Sequence, residues 1–367
     1  MLALTVFAFW LALAGSVVLM RSRYTQPIHY ATDKPQRFHA GHVSRLGGVA
    51  VALALALVYL VAAYFDEGLF NWNVGLKPQQ VGMFLLVAAP AVLSGFAEDL
   101  THRMSARYRL LMTAASAAMA CYFLNVSVVR LGVPILDDML TAWPWLSVAL
   151  AFVAISGLPH AFNIIDGYNG LAGAVACLVC LAIAVVAFQV GDRQLMTIMM
   201  CLFGATAGFL VWNYPRGLIF VGDGGAYLWG IVIAIASITL VQRHEQVSPW
   251  FPMLLLIYPV WETIFSIYRK MSRGISPGVA DALHFHQLIY RRIVRSVFHD
   301  DEARRMLMRN NRTSPYLWSF SALTVVPALL LWRNTAMLIV FSLLFVATYV
   351  GAYLMIVRFK VPRWLRR

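Results

Sequence analysis

The chain has 367 residues, of which 61% are hydrophobic and only 12% charged, and its mean hydropathy is +0.72. A composition this apolar excludes an ordinary soluble domain and points to repeated membrane spans. The 29 Lys and Arg against 16 Asp and Glu give a net charge of +13. On a membrane protein that excess fits anionic headgroups and phosphorylated substrates better than nucleic acid.

Eleven apolar stretches mark candidate spans, at 2–20, 47–65, 81–97, 108–124, 145–162, 171–190, 195–213, 225–241, 250–268, 315–332 and 336–357. The first lacks a basic segment before its apolar run and a small-residue cleavage site after it, so it is read as a span, not a signal peptide. The expected fold is an all-α polytopic membrane protein of eleven transmembrane helices, with the N-terminus outside and the C-terminus cytoplasmic. In that orientation all but five of the Lys and Arg lie on the cytoplasmic side; the five are Lys77, Arg130, Arg193, Arg243 and Arg333. Basic loops stay on the cytoplasmic side during insertion, and the reverse topology would place Arg291, Arg292, Arg295, Arg304 and Arg305 outside.

Polar islands sit where these spans end. Between the first two spans lie Asp33, Pro35, Arg37, His39, Arg45 and Gly47–Gly48, a basic segment read as a loop facing phosphate. The third span closes on Glu98-Asp99, adjacent carboxylates at a helix C-terminus. Negative charge is disfavoured there, so the pair needs a ligand or a counter-charge from His102, Arg103 or Arg107. Asp137-Asp138, in an external loop, is read as a solvated pair.

The central island runs from His160 to Gly173. Asn163, Asp166 and Asn169 recur every three residues, with Gly167, Gly170 and Gly173 on the same beat. That spacing sets three polar side chains along one side of a helical turn or tight loop, and glycine lets backbone approach a ligand. Ionisable groups at membrane depth are costly and mark function.

Further on, Asp223 is flanked by Gly222, Gly224 and Gly225 just before an apolar helix. It reads either as a helix cap or as a hard oxygen ligand for a divalent ion that also holds phosphates. Pro259 lies inside the ninth span and predicts a kink or break. Glu262 faces the bundle interior or its rim. The segment 269–314 then carries Arg273, Asp281, His284 and His286. The two histidines point the same way only in an extended chain, and they lack companions for zinc. Residues 290–312 read as a basic amphipathic helix on the membrane surface. Cys177 and Cys180, inside a span, are read as packing.

In this order the islands resemble the polyprenyl-phosphate N-acetylhexosamine-1-phosphate transferase family of glycosyltransferase family 4. Its members include the phospho-MurNAc-pentapeptide translocase and GlcNAc-1-phosphate transferases. Asp33, Pro35, Arg37, His39 and Gly47–Gly48 are similar to the family's first loop. Glu98-Asp99 stands for its acidic pair, usually Asp-Asp. Asn163, Asp166-Gly167 and Gly170-Leu171 are similar to its Asn-x-x-Asp-Gly-x-Asp-Gly-Leu motif, with Asn169 in place of the third Asp. Phe220, Gly222, Asp223 and Gly225 match its Phe-x-Gly-Asp segment, and His284 with His286 its last histidine motif.

The resemblance implies a single transferase domain over 1–367, with 269–314 as its cytoplasmic histidine-bearing loop. It implies catalytic roles for Asp99, Glu98, Asp223, His284 and His286. Substrate binding falls to Asp33, Arg37, His39, Arg45, Asn163, Asp166, Asn169 and Arg273. Asp223 is the implied Mg²⁺ ligand, with Asp166 as second candidate and Mn²⁺ as a substitute ion. The implied reaction moves an N-acetylhexosamine 1-phosphate from a UDP-sugar to undecaprenyl phosphate, releases UMP and starts a lipid-linked surface polysaccharide. Partners would be these two substrates and membrane lipid, not nucleic acid, with a homodimer as the candidate assembly. The site would be on the cytoplasmic face of a bacterial inner membrane. Transfer of phospho-MurNAc-pentapeptide, and a transporter or flippase, stand as alternative readings.

Overall fold

The computed structural model describes residues 1–22, 43–65, 74–276, 283–294 and 300–358, and every regular element among them is helical. The first four apolar stretches become α1 (Leu2–Arg21), α2 (Gly47–Phe65), α3 (Pro78–Thr101) and α4 (Ala106–Phe123). A short α5 (Pro134–Ala142) precedes α6 (Pro144–Ile165), α7 (Leu171–Gln189), α8 (Arg193–Asn213) and α9 (Gly222–Arg243). Then come α10 (Trp250–Leu255), α11 (Ile257–Met271), α12 (Phe285–Leu288), α13 (Glu302–Leu330) and α14 (Thr335–Val357). Eight of these, α1, α2, α3, α6, α7, α8, α9 and α14, are long and apolar enough to cross a membrane. The chain is a polytopic helical membrane protein. The remaining apolar stretches lie on α4, on the α10–α11 pair and on the second half of α13.

Helix α9 is the axis of the bundle. Every residue from Gly222 to Ser237 is buried, which explains why its sequence is apolar on all sides. Lipid supplies no hydrophobic drive between helices, so association relies on close packing over small residues. Gly48 of α2 lies on Gly225, Gly95 of α3 on Gly224, and Gly230 on the Leu158–Pro159 backbone of α6; a Cβ at any of these would overlap its neighbour. Gly204 and Gly208 of α8, four residues apart, press in the same way on the Thr5 and Phe9 carbonyls of α1.

The break expected from Pro259 is present three residues upstream, at Leu256, where α10 and α11 part. Pro259 has no N–H for the Leu255 carbonyl and its ring crowds that position, so the helix yields there. In α3, Pro90 is tolerated because the next amide, Ala91 N–H, donates to Ser116 Oγ of α4 at 3.0 Å. The segment 290–312 is divided, with a π-helical turn over Ile289–Ile293 and α13 starting at Glu302, capped by Asp301. Arg304, Arg305, Arg309 and Arg312 thus ride on the first turns of a helix that continues into the apolar stretch, with no separate surface helix among the described residues. In the acidic pair at 137–138, Asp138 is exposed as expected, whereas Asp137 Oδ1 accepts the Leu131 and Gly132 N–H groups ahead of α5.

Candidate active site

The starts of α2, α7, α9 and α13 meet the ends of α3, α6, α8, α11 and α14 at one end of the bundle, and the polar islands gather there. The chain before α2 runs beside the chain before α9. Phe220 N–H donates to the Ser44 carbonyl, Gly47 N–H to Phe220 and Gly48 N–H to Val221, each at 2.8 Å. These bonds carry Arg45 to the first turn of α9. Gly222 opens that turn at φ +73°, where a Cβ would be strained and would strike the Asp99 carboxylate and the Arg45 carbonyl.

Asp99, at the end of α3, finds its counter-charge in the N-terminus of α9. Its two oxygens accept the N–H groups of Asp223 at 2.9 Å and Gly224 at 3.0 Å. A carboxylate disfavoured by its own helix dipole is stabilised by the opposite pole of another. Arg45 Nε lies 4.0 Å from the same carboxylate. Glu98 accepts Met104 N–H at 2.8 Å, which closes the turn between α3 and α4.

Asp223 is 4% exposed and three side chains converge on it. Arg109 of α4 donates through Nη1 to its Oδ2. Asn163 Nδ2 donates to its Oδ1 at 2.9 Å, and Arg45 Nη2 stands 3.6 Å from that oxygen. Tyr227, one turn along α9, and His160, whose Nε2 meets Thr113 Oγ1 at 3.0 Å, enclose the Arg109 side, their rings 5.2 Å apart. Asp166 ends α6 and is half-buried; burial pushes its carboxyl up to about 7, with Arg45 opposing and Asp223 adding.

The turn from α6 to α7 is fastened from outside. Asn169 N–H donates to Asn310 Oδ1 at 2.8 Å, its amide donates to Pro215 O and Asn311 Oδ1, and its carbonyl accepts Ser314 Oγ. Gly170 N–H donates to Asn213 Oδ1 at 2.6 Å. The three-residue beat is therefore split: Asn163 and Asp166 face the Asp223 cluster, while Asn169 is buried against α13.

His284 and His286 converge on Glu262 of α11, their rings parallel within 8° at a 5.2 Å centroid separation. They share a direction although only His284 is extended, because His286 stands in the first turn of α12. Gly167 lies against His286, and this joins the histidines to the Asp166 turn. Arg273 is exposed in the turn after α11. Asp33, Arg37 and His39 lie outside the described residues.

Arg109 is the residue that the sequence did not single out as part of the site. Its signal is a charge three residues inside an apolar helix. Among the described residues no group of three His, Cys, Asp or Glu is arranged to hold a metal ion. Mg²⁺ does not need such a cage, because it takes one or two carboxylates and completes its shell with water and substrate phosphate. Asp223, with Asp166 in electrostatic reach, supplies that kind of oxygen donor set.

Residues 81–241, which contain Asp99, Arg109, Asn163, Asp166 and Asp223, match the model of glycosyl transferase family 4. The chain is 26% identical over 259 residues to a probable undecaprenyl-phosphate N-acetylglucosaminyl 1-phosphate transferase of Bacillus subtilis (strain 168), covering 70% of this chain and 68% of that one. It is 24% identical over 266 residues to the undecaprenyl-phosphate alpha-N-acetylglucosaminyl 1-phosphate transferase of Escherichia coli (strain K12), covering 71% and 69%. It is 25% identical over 281 residues to the decaprenyl-phosphate N-acetylglucosaminephosphotransferase of Mycolicibacterium smegmatis, covering 70% and 67%. The chain is thus similar, over residues 81–241 and over about 70% of its length, to glycosyl transferase family 4 and to polyprenyl-phosphate N-acetylglucosamine-1-phosphate transferases.

Proposed function

We propose that the protein transfers N-acetylglucosamine 1-phosphate from UDP-GlcNAc to a polyprenyl phosphate such as undecaprenyl phosphate, releasing UMP and starting a lipid-linked surface polysaccharide. The observation that carries this reading is the buried Asp223 carboxylate at the start of α9, with two guanidinium groups and an amide converging on it at a bundle end. The relatives' names supply the substrates.

Phosphoryl transfer asks a protein chiefly for positioning and for cations around the transferring group. Arg45 and Arg109 are fork-shaped donors suited to phosphate. With Asp223 as anchor they line the place a diphosphate would take. Asp223, with Asp166 beside it, would hold Mg²⁺, which when bound neutralises the diphosphate and the charge developing on UMP. Asn163 keeps Asp223 oriented. A phosphate monoester has a second pKa near 6, so the acceptor is largely dianionic at neutral pH and needs little help from a base. Asp99 and Glu98, engaged by α9 and Met104, therefore act by positioning.

Basic residues at the opposite end are tied into the fold. Arg130 donates to the carbonyls of Val241, His244 and Val247, and Arg243 to Asp192 and Gln194. This agrees with a bacterial cytoplasmic-membrane location in which the site end faces the cytoplasm. The transporter reading leaned on Glu262, whose oxygens are taken by Phe285 N–H and Tyr349 O–H.

The test is UMP release by purified protein given undecaprenyl phosphate, Mg²⁺ and a panel of UDP-N-acetylhexosamines. Release that needs both lipid and divalent ion, fastest with UDP-GlcNAc, is expected. Release without lipid acceptor contradicts the proposal.

A further inference from the structure

A second ionisable cluster lies behind the first. Glu262 is 1% exposed, in a place where an unpaired carboxylate would be costly. Groups from α12, its N-cap and α14 surround it. Phe285 N–H donates to its Oε1 at 2.7 Å and Tyr349 O–H from α14 to its Oε2 at 2.9 Å. The Nδ1 atoms of His284 and His286 each stand 3.5 Å from the same Oε1. One carboxylate thus faces the same nitrogen of two stacked imidazoles.

That arrangement has a chemical consequence. A carboxylate opposite Nδ1 favours the tautomer with the proton there, and the other nitrogen is then turned to what lies on the far side of the ring. For His286 the far side is the Asp166–Gly167 turn, since a Cβ on Gly167 would meet Nε2 at 3.2 Å. Arg269 fixes the chain just before the histidines by donating to the Leu283 carbonyl and, at 2.7 Å, to Tyr353 Oη. The strand of chain and both rings are therefore set from α11 and α14.

We propose that Glu262 is a positioning residue that fixes the tautomer and ring plane of both His284 and His286, presenting their Nε2 edges to a substrate phosphate. This rests on the transferase reading given above. A glutamine at 262 keeps the shape but loses the charge. It also sets an NH₂ against Tyr349 O–H, or against Phe285 N–H and the imidazoles.

The experiment compares full-length wild type, Glu262→Gln, His286→Ala and the double variant by UMP release, with thermal midpoints in detergent as a folding control. Glu262→Gln is expected to lower kcat/KM by about 10- to 100-fold, the usual loss when a group orienting a histidine is removed. Added to His286→Ala it should cost little more, because residues that act through one another are non-additive. Multiplicative losses, or activity within twofold of wild type, would overturn the assignment. If Glu262→Gln fails to fold, Tyr349→Phe enters the same cycle with a smaller loss of the same non-additive kind. Histidine ¹⁵N shifts need no turnover. Both rings should carry the Nδ1 proton in wild type and lose that preference in Glu262→Gln, and unchanged shifts would contradict the proposal. Should wild type use no donor, the transferase reading falls and the ¹⁵N shifts alone decide the role of Glu262.

Discussion

At Asp223 a single buried carboxylate holds together α4, α6 and the chain ahead of α2 through Arg109, Asn163 and Arg45. Removing one partner of such a pair leaves charge without compensation, at a cost of about 3 kcal/mol or more when burial is complete and less here because Arg109 is 22% exposed. Arg109→Ala should therefore lower kcat/KM by at least about 100-fold while the protein still purifies folded; wild-type activity would remove Arg109 from the site. Asn169 leads to a different expectation. Its amide donates to Pro215 O and Asn311 Oδ1, so Asn169→Asp would set a carboxylate against two acceptors. A lower thermal midpoint is expected, by several degrees, and an unchanged midpoint would contradict the assigned contacts. For Asp166 the folded state holds its proton up to about 7, above the ordinary carboxylate value. Its contribution to stability is thus lost as pH rises from about 4 through 7. In cation-free buffer Asp166→Asn should flatten that fall in thermal midpoint, and an unaltered profile would argue against burial as the cause. Sequence made Asp223 and Asp166 legible because glycines frame them. It did not reveal Arg109, whose partner is 114 positions away, or the inward turn of Asn169, because periodicity does not fix side-chain direction in a turn.

Among the helices, α3 shows how one element carries both packing and site. Gly95 lies against the Gly224 backbone, whereas Gly82 has nothing within 4 Å of a would-be Cβ. Gly95→Ala should lower stability by about 1–3 kcal/mol through overpacking and shift Asp99 off the start of α9. Gly82→Ala should be neutral or slightly stabilising. Equal midpoints for the two variants, measured in the same detergent, would refute the close α3–α9 contact. The helices themselves were legible from apolar runs, since membrane-embedded backbone must satisfy its hydrogen bonds internally. The position of the break was less so. Pro259 announces it, but the helix parts at Leu256 because the proline's effect falls on the preceding turn.

Over the whole molecule, residues from Arg45 to His286 are carried to one end by helices that alternate in direction, so five separate islands become neighbours. Their order along the chain carried the resemblance to the family, but which side chains meet was set by tertiary packing around α9. In the proposed reaction this end moves a sugar 1-phosphate, not a sugar alone, onto a lipid phosphate. The direct measurement uses UDP-GlcNAc labelled at the β-phosphorus, incubated with undecaprenyl phosphate, Mg²⁺ and either wild type or Asp223→Ala. Label passing into the organic-soluble lipid with wild type, and not with Asp223→Ala, is the predicted result. Label that stays in the aqueous nucleotide, or an Asp223→Ala protein as active as wild type, would contradict the account.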